Sequence, residues 1–251
     1  MALHSLAVSV LLLGVLTSVA GASVRADMDL AAKQRKVAFI LVTDQGAAGV
    51  TEAKATIQQA MKQVKKSTLI ELDRSNAGNA DLVAKFGLAG APVPIILLAA
   101  RNGALAGGLV AAQATPEQLI AMVPSPKKAE ILQTLQGAKA VFISVSRKSM
   151  ASHSRAKATC ATACKQMNGR CVTVHVDMDD PKESEFLSQL KVNRAATEPV
   201  TMVVNAQGQV TGSYTGAVEV ANLVEAATKT AGGCCPSTVQ SGSKACPPTK
   251  K

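Results

Sequence analysis

The residues best able to do chemistry in this chain of 251 are its six cysteines, and their spacing divides them into two groups. Cys160 and Cys164 are four apart, so a helix places both on one face. Met167 continues that face, and His153 begins it one heptad before Cys160. Cys171 follows after an Asn168-Gly169 turn. Thiolate, thioether and imidazole together suit Cu(I) or Zn, which makes Cys160, Cys164, Met167 and His153 candidate metal ligands. Cys160, Cys164 and Cys171 are equally candidates for thiol–disulfide exchange from an unusual place. Two structural readings compete. Ala156, Cys160, Ala163, Cys164 and Met167 also form an apolar stripe, and buried cysteine behaves as a small hydrophobe. A disulfide such as Cys164–Cys171 is natural in an oxidising compartment.

The second group is Cys234, Cys235 and Cys246, in a tail over 230–251 dominated by Gly, Ser, Pro and Lys. Such a composition cannot build a core and is expected to be flexible. A loop closed by Cys235–Cys246 or Cys234–Cys246 and a thiol arm for soft metals or partner disulfides are both consistent with the spacing. Connectivity is not readable from sequence.

Charge around the thiols is one-sided. Residues 131–176 hold no Asp or Glu, but include Lys139, Arg147, Lys148, Arg155, Lys157, Lys165 and Arg170. Cationic neighbours favour thiolate over thiol. A solvated basic face, or attraction to an anionic membrane surface, explains the same charges. The whole chain is +10, with 2% aromatics and no Trp. Too few rings exist for stacking carbohydrate or single-stranded nucleic acid, and no nucleic-acid module is present. His175 alternates with Val174 and Val176 and is expected to be a surface or hydrogen-bonded histidine. Asp177, Asp179 and Asp180 end a strand and cap a helix, without calcium.

These residues need a scaffold, and 47% hydrophobic residues suffice for a sizeable core. The scaffold is one pattern written twice. In the first copy, strands are predicted at 37–43 and 68–73 around a helix at 51–66. A short helix from Asn79, a proline-containing loop, a strand at 95–100, an Asn102-Gly103 turn, another strand and a helix follow. The second copy gives strands at 140–146 and 171–177 around a helix at 152–167. A helix at 181–190, Pro199, a strand at 200–205, a Gln207-Gly208 turn and a helix from Ala217 complete it. Phe39 to Phe142 is 103 residues, Asp73 to Asp177 is 104, and Pro94 to Pro199 and Gly103 to Gly208 are 105. A period of this length means duplicated domains rather than a short-period solenoid. The alternation predicts an α/β fold, each copy a mixed central sheet with helices on both faces. Thr115-Pro-Glu-Gln118 and Asp180-Pro181 carry helix-start chemistry, and Val123-Pro-Ser-Pro126 reads as the joint. Helices at 28–36 and 127–136 lead into the two copies.

The segment 85–92, Lys-Phe-Gly-Leu-Ala-Gly-Ala-Pro, followed by an apolar strand and Asn102-Gly103, resembles the thioredoxin superfamily around its cis-proline. Leu190-Lys-Val192, Glu198-Pro199, a strand and Gln207-Gly208 repeat the resemblance in the second copy. It covers roughly 28–123 and 127–229. It implies two tandem thioredoxin-like domains, with a cis-proline loop at Pro94 in one and Pro199 in the other. Pro92 fits the preceding loop, but Pro94 matches the nine-residue distance from Pro199 to Gly208. Enzymes of the superfamily carry Cys-x-x-Cys after the first strand. This chain has Asp44-Gln-Gly-Ala-Ala-Gly49 and Arg147-Lys-Ser-Met-Ala-Ser-His153 there, without cysteine. The resemblance then implies a non-catalytic, protein-binding or scaffold member. The alternatives are a thiol–disulfide oxidoreductase using other cysteines, or a Cu or Zn binder.

Finally, residues 6–22 carry no charge and end Ala20-Gly21-Ala22. The length and the small residues fit a signal peptide over 1–22, although no Lys or Arg precedes it; an uncleaved anchor is the alternative. The expected organisation is that signal peptide, domains at 23–123 and 124–229, and a tail at 230–251. Export to the periplasm or the extracellular space follows from the signal peptide.

Overall fold

The computed structural model describes residues 23–230, so the expected signal peptide and the cysteines of the tail lie outside the described residues. Within that span the order is α1 (Val24–Lys33), β1 (Val37–Thr43), α2 (Val50–Gln63), β2 (Ser67–Asp73), α3 (Ala80–Lys85), β3 (Ile95–Ala99), β4 (Leu105–Val110) and α4 (Pro116–Ala121). It repeats as α5 (Pro126–Gln136), β5 (Ala140–Ser146), α6 (His153–Gln166), β6 (Cys171–Asp177), α7 (Ser184–Gln189), β7 (Val200–Val204), β8 (Val210–Thr215) and α8 (Val220–Thr228).

Two four-stranded sheets result, ordered β2-β1-β3-β4 and β6-β5-β7-β8. β1 runs parallel to β2 and β5 parallel to β6, while β7 is antiparallel to both β5 and β8. The chain is thus two tandem thioredoxin-like α/β arrangements. Contacts divide it into one compact unit of residues up to 98 with 108–120, and a second of 99–107 with residues from 121 onward. Among the described residues no helix is long and apolar enough to cross a membrane.

In the first unit, Val37 to Val42 of β1 are all buried, and α2 turns Ala53, Ile57 and Ala60 inward at helical spacing. In the second, every residue of β5 is buried, because helices cover both faces of its sheet. Alternation along β5 sends Val141, Ile143 and Val145 to a core with Ile131 of α5 and Leu187 of α7. It sends Ala140 and Phe142 to a core with Cys160 and Ala163 of α6 and Leu223 and Ala226 of α8.

Local chemistry sets the ends. Thr115 Oγ1 accepts from Gln118 N at 3.3 Å while Gln118 Oε1 accepts from Thr115 N at 3.0 Å, a reciprocal cap. Ser125 caps α5 by accepting from Lys128 N, with Pro126 in its first turn. Gly103 (φ 85°) and Gly208 (φ 81°) make equivalent turns, each N–H bonding the carbonyl three residues back. α2 stops at Gln63, short of the expected 66, because Val64 leaves the helical region (ψ 87°), and Lys66 then turns the chain with a left-handed conformation (φ 58°).

Candidate functional site

The loop after the first strand of each unit is where the resemblance locates a dithiol, and in both units an arginine–aspartate pair occupies it. In the first unit Asp44 follows β1 and Arg74 follows β2. Arg74 Nε donates to Asp44 Oδ1 at 2.8 Å, and its Nη2 bonds Asp44 Oδ2. The same guanidinium donates through Nη1 to Leu88 O at 2.8 Å and Ala91 O at 2.7 Å. A planar fork with five donors suits this task, since two donors meet the carboxylate while another reaches the carbonyls. The Arg74 guanidinium holds the Asp44 carboxyl below its ordinary pKa, against a smaller opposing effect of desolvation.

The second unit makes a related brace, with the arginine on the loop after its first strand. Arg147 follows β5 and Asp179 follows β6. Arg147 Nε donates to Asp179 Oδ1 at 2.9 Å, Nη1 to Ala196 O at 3.1 Å, and Nη2 to Arg194 O. Ala91 and Ala196 each stand three residues before a proline, Pro94 and Pro199. In both units the arginine therefore fastens the loop that leads into the third strand.

Among the described residues the cis peptide bond is Val93–Pro94. Pro94 O accepts from Ala111 N at 2.9 Å, and Pro199 O accepts from Gly216 N at 2.8 Å, so the two prolines hold equivalent places. Glu198–Pro199 is nevertheless trans, which corrects the expectation of a cis-proline in the second copy. An X–Pro bond favours trans by about 0.5–1 kcal/mol unless its surroundings select cis, and trans is the form adopted here. Beside Pro199 lies a groove of about 610 Å³, with Leu190, Val192, Val200 and Met202 along it and Lys191 and Glu198 among its polar groups.

Cys160, Cys164, Cys171 and Met167 do come together, on the α6/α8 side of the second sheet. Cys160, Met167 and Cys171 are buried members of that core, and Cys164 is half-buried against it. All three thiols are free. Burial pushes the Cys160 thiol up to about 11. Burial also raises Cys171, and the neighbouring Cys164 thiol adds to the rise. This corrects the expectation that nearby cations favour thiolate: for Cys160 and Cys171, loss of water outweighs the basic surroundings.

His153 stands apart from the thiols. Seven residues of helix separate it from Cys160, about 10 Å along the axis. Its Nδ1 is hydrogen-bonded with Ser146 Oγ at 2.8 Å. No group of three or more His, Cys, Asp or Glu side chains converges on a metal-sized site among the described residues. The soft donors brought together are therefore two buried thiols, one half-buried thiol and a thioether.

Two features escaped the sequence. The first is a polar row across the second sheet. Ser144 pairs in register with His175 on one side and Thr201 on the other. Ser144 Oγ, Thr201 Oγ1 and His175 Nδ1 are buried without a hydrogen-bond partner. His175 is thus half-buried, with one ring nitrogen left unpartnered. Burial lowers its pKa, helped by Lys157, Lys127 and His153 and opposed by Glu130. The second is Glu183, 1% exposed, which accepts from Ser125 Oγ at 2.5 Å and Lys127 N at 3.0 Å at the start of α5.

No protein-family model and no curated protein matches the chain. Among solved structures, it is similar to the first two thioredoxin domains of Naumovozyma dairenensis Eps1p, at 14% identity over 81% of this chain and 95% of that one, with a TM-score of 0.31. The NTD_N/C domain of alkylhydroperoxide reductase AhpF from Enterococcus faecalis matches at 14% identity over 80% and 98%, TM-score 0.28. Human ERp44 form II matches at 10% identity over 78% and 52%, TM-score 0.34. The residues of the site are assigned from the chain's own geometry.

Proposed function

We propose that this chain is an exported tandem thioredoxin-like protein that binds protein partners rather than turning over a dithiol. The observation that carries the reading is the pair of arginine–aspartate braces. The place after the first strand, where the superfamily's enzymes hold Cys-x-x-Cys, is given in both units to fastening the pre-proline loop. The described thiols lie elsewhere, and two of the three are buried thiols with raised pKa values that expose little nucleophile. The groove beside Pro199, apolar along one side and bearing both charges, offers an extended polypeptide a surface without covalent chemistry. Export rests on residues 6–22 alone.

Insulin reduction by dithiothreitol tests the negative half of this reading. The purified mature chain is expected to leave the rate at the uncatalysed value while a dithiol thioredoxin accelerates it. The positive half is tested by fluorescence anisotropy with a labelled, reduced and carboxymethylated polypeptide, whose alkylated thiols cannot exchange. Saturable binding, weakened by Met202→Asp in the groove, supports the reading. Robust turnover that disappears in Cys164→Ser would replace it with the alternative of a thiol–disulfide oxidoreductase. That alternative draws on one observation, the half exposure of Cys164.

A further inference from the structure

We infer that Cys164 and Cys171 form a reversible disulfide under oxidising conditions, a modification site that is independent of whether the chain binds partners. A tight turn lies between them. Cys164 lies in the last turn of α6 and Cys171 opens β6. Cys164 O accepts from Met167 N at 3.1 Å, Met167 O accepts from Arg170 N at 3.1 Å, and Arg170 O accepts from Ala140 N at 2.9 Å. Asn168 (φ 48°) and Gly169 (φ 80°) take the left-handed conformations that reverse the chain. The two cysteines are therefore presented to each other by a hydrogen-bonded turn, and their side chains share one apolar cluster.

Three pairings are available to three thiols, and geometry selects one. Cys160 and Cys164 are i and i+4 on a helix, where Cβ atoms are about 5–6 Å apart. A disulfide needs about 3.5–4.5 Å, so that pair would have to break its own helix. Cys160 is 0% exposed and out of reach of any oxidant in solution. Cys164 is half-buried, so it alone of the three meets solvent while remaining against Cys171. Cys171 donates only a long hydrogen bond, to Val172 O at 3.6 Å.

The oxidant is a low-molecular-weight disulfide. The Cys164 thiolate attacks one of its sulfurs, forming a mixed disulfide and releasing one small thiolate. The Cys171 sulfur, giving up its proton to water, then attacks Cys164 Sγ and expels the second small thiolate, which is protonated. The balance is two protein thiols plus one small disulfide giving one protein disulfide plus two small thiols. The buried Cys171 thiol makes the second step the slower one, so the mixed disulfide on Cys164 precedes the closed form.

The test uses the full chain equilibrated in glutathione buffers from reducing to oxidising, quenched with acid, alkylated and digested with trypsin. Lys165 and Arg170 lie between the two cysteines, so the disulfide joins two separate peptides, 158–165 and 171–182. The expected result is that this linked pair grows to the major species at the oxidising end, and that a time course there shows glutathione on Cys164 first. Fragmentation must place the link on Cys164, because Cys160 shares its peptide. Cys164→Ser should abolish the linked pair and Cys160→Ser should leave it. A link carried by Cys160, a link from either residue to a tail cysteine with Cys171 still free, or no linked pair at any potential overturns the inference.

Discussion

Glu183 offers the sharpest test of the second unit's construction, since a carboxylate 1% exposed has two duties at one helix start. Its Oε2 takes the Ser125 hydroxyl at 2.5 Å and its Oε1 takes Lys127 N at 3.0 Å. Ser125 Oγ in turn accepts from Lys128 N at 3.2 Å, so the carboxylate holds the cap that starts α5. Glu183→Ala leaves a half-buried hydroxyl and a half-buried N–H without their acceptor. Two charge-assisted bonds at about 1.5–3 kcal/mol each set an upper bound near 3–6 kcal/mol. Removing the carboxylate also removes its own burial cost, which returns part of that sum. The expected loss is about 2–4 kcal/mol. Glu183→Gln keeps the shape and the Lys127 bond, but its amide nitrogen cannot accept the Ser125 hydroxyl and the charge facing the helix start is gone. About 1–2 kcal/mol is expected for it. Urea unfolding followed by circular dichroism reads both values. Ser125→Ala should couple to Glu183→Ala by about 1 kcal/mol in a double-mutant cycle. If Glu183→Gln stays within about 0.5 kcal/mol of the parent, the carboxylate is not holding the cap and the reasoning fails.

Two further perturbations follow from the same physics. Arg74→Ala should free the pre-proline loop of the first unit, seen as hydrogen exchange at least about tenfold faster over 87–94, because three acceptors lose their donor. The exchanged pair Asp44→Arg with Arg74→Asp should restore much of the protection, and no restoration would mean that the polarity itself matters. The brace is also acid-sensitive. Asp44 has a folded pKa below its ordinary value, so its contribution is complete above about pH 4 and lost as pH falls through the lower folded value. Arg74→Ala should flatten that part of the acid transition, read by tryptophan-free far-ultraviolet dichroism. Thr201→Val should stabilise the protein by about 1 kcal/mol, since a fully buried hydroxyl without a partner is replaced by a methyl of like size. A loss of stability would show that Thr201 Oγ1 has a partner, a bound water included.

The strands were legible almost to the residue, and the reason is burial. Val37–Thr43 and Ala140–Ser146 are near-continuous apolar runs because helices cover both faces of their sheets, and such runs announce themselves. The period of about 104 was legible because turn glycines and prolines fix the chain at points that packing cannot move. What the sequence hid was depth and pairing. The stripe Ala156, Cys160, Ala163 marks a helix face but not that desolvation there overrides the surrounding lysines and arginines. Glu183 sits in a polar stretch, Pro-Lys-Glu-Ser-Glu, that reads as solvated surface. Its burial depends on Ser125, 58 residues away. Pro199 shares the position of Pro94 without sharing its isomer, because isomer choice belongs to the packed surroundings.

The arginine–aspartate brace is the observation that binds sequence, fold and function most tightly. A simple copy of the first unit would place an acid after β5, yet Arg147 stands there, and its partner is Asp179, one residue beyond Met178, the counterpart of Arg74. The contacts differ too: Arg74 grips both carboxylate oxygens, whereas Arg147 reaches Asp179 through Nε, but each guanidinium donates to the carbonyl three residues before the proline. What is held in common is thus the fastening of that loop, not either residue. The Asp44–Arg74 exchange is expected to leave a chain indifferent to polarity, and Arg74→Ala a chain intolerant of losing the pair; a chain that tolerates the loss of Arg74 would show that the brace does not hold the loop.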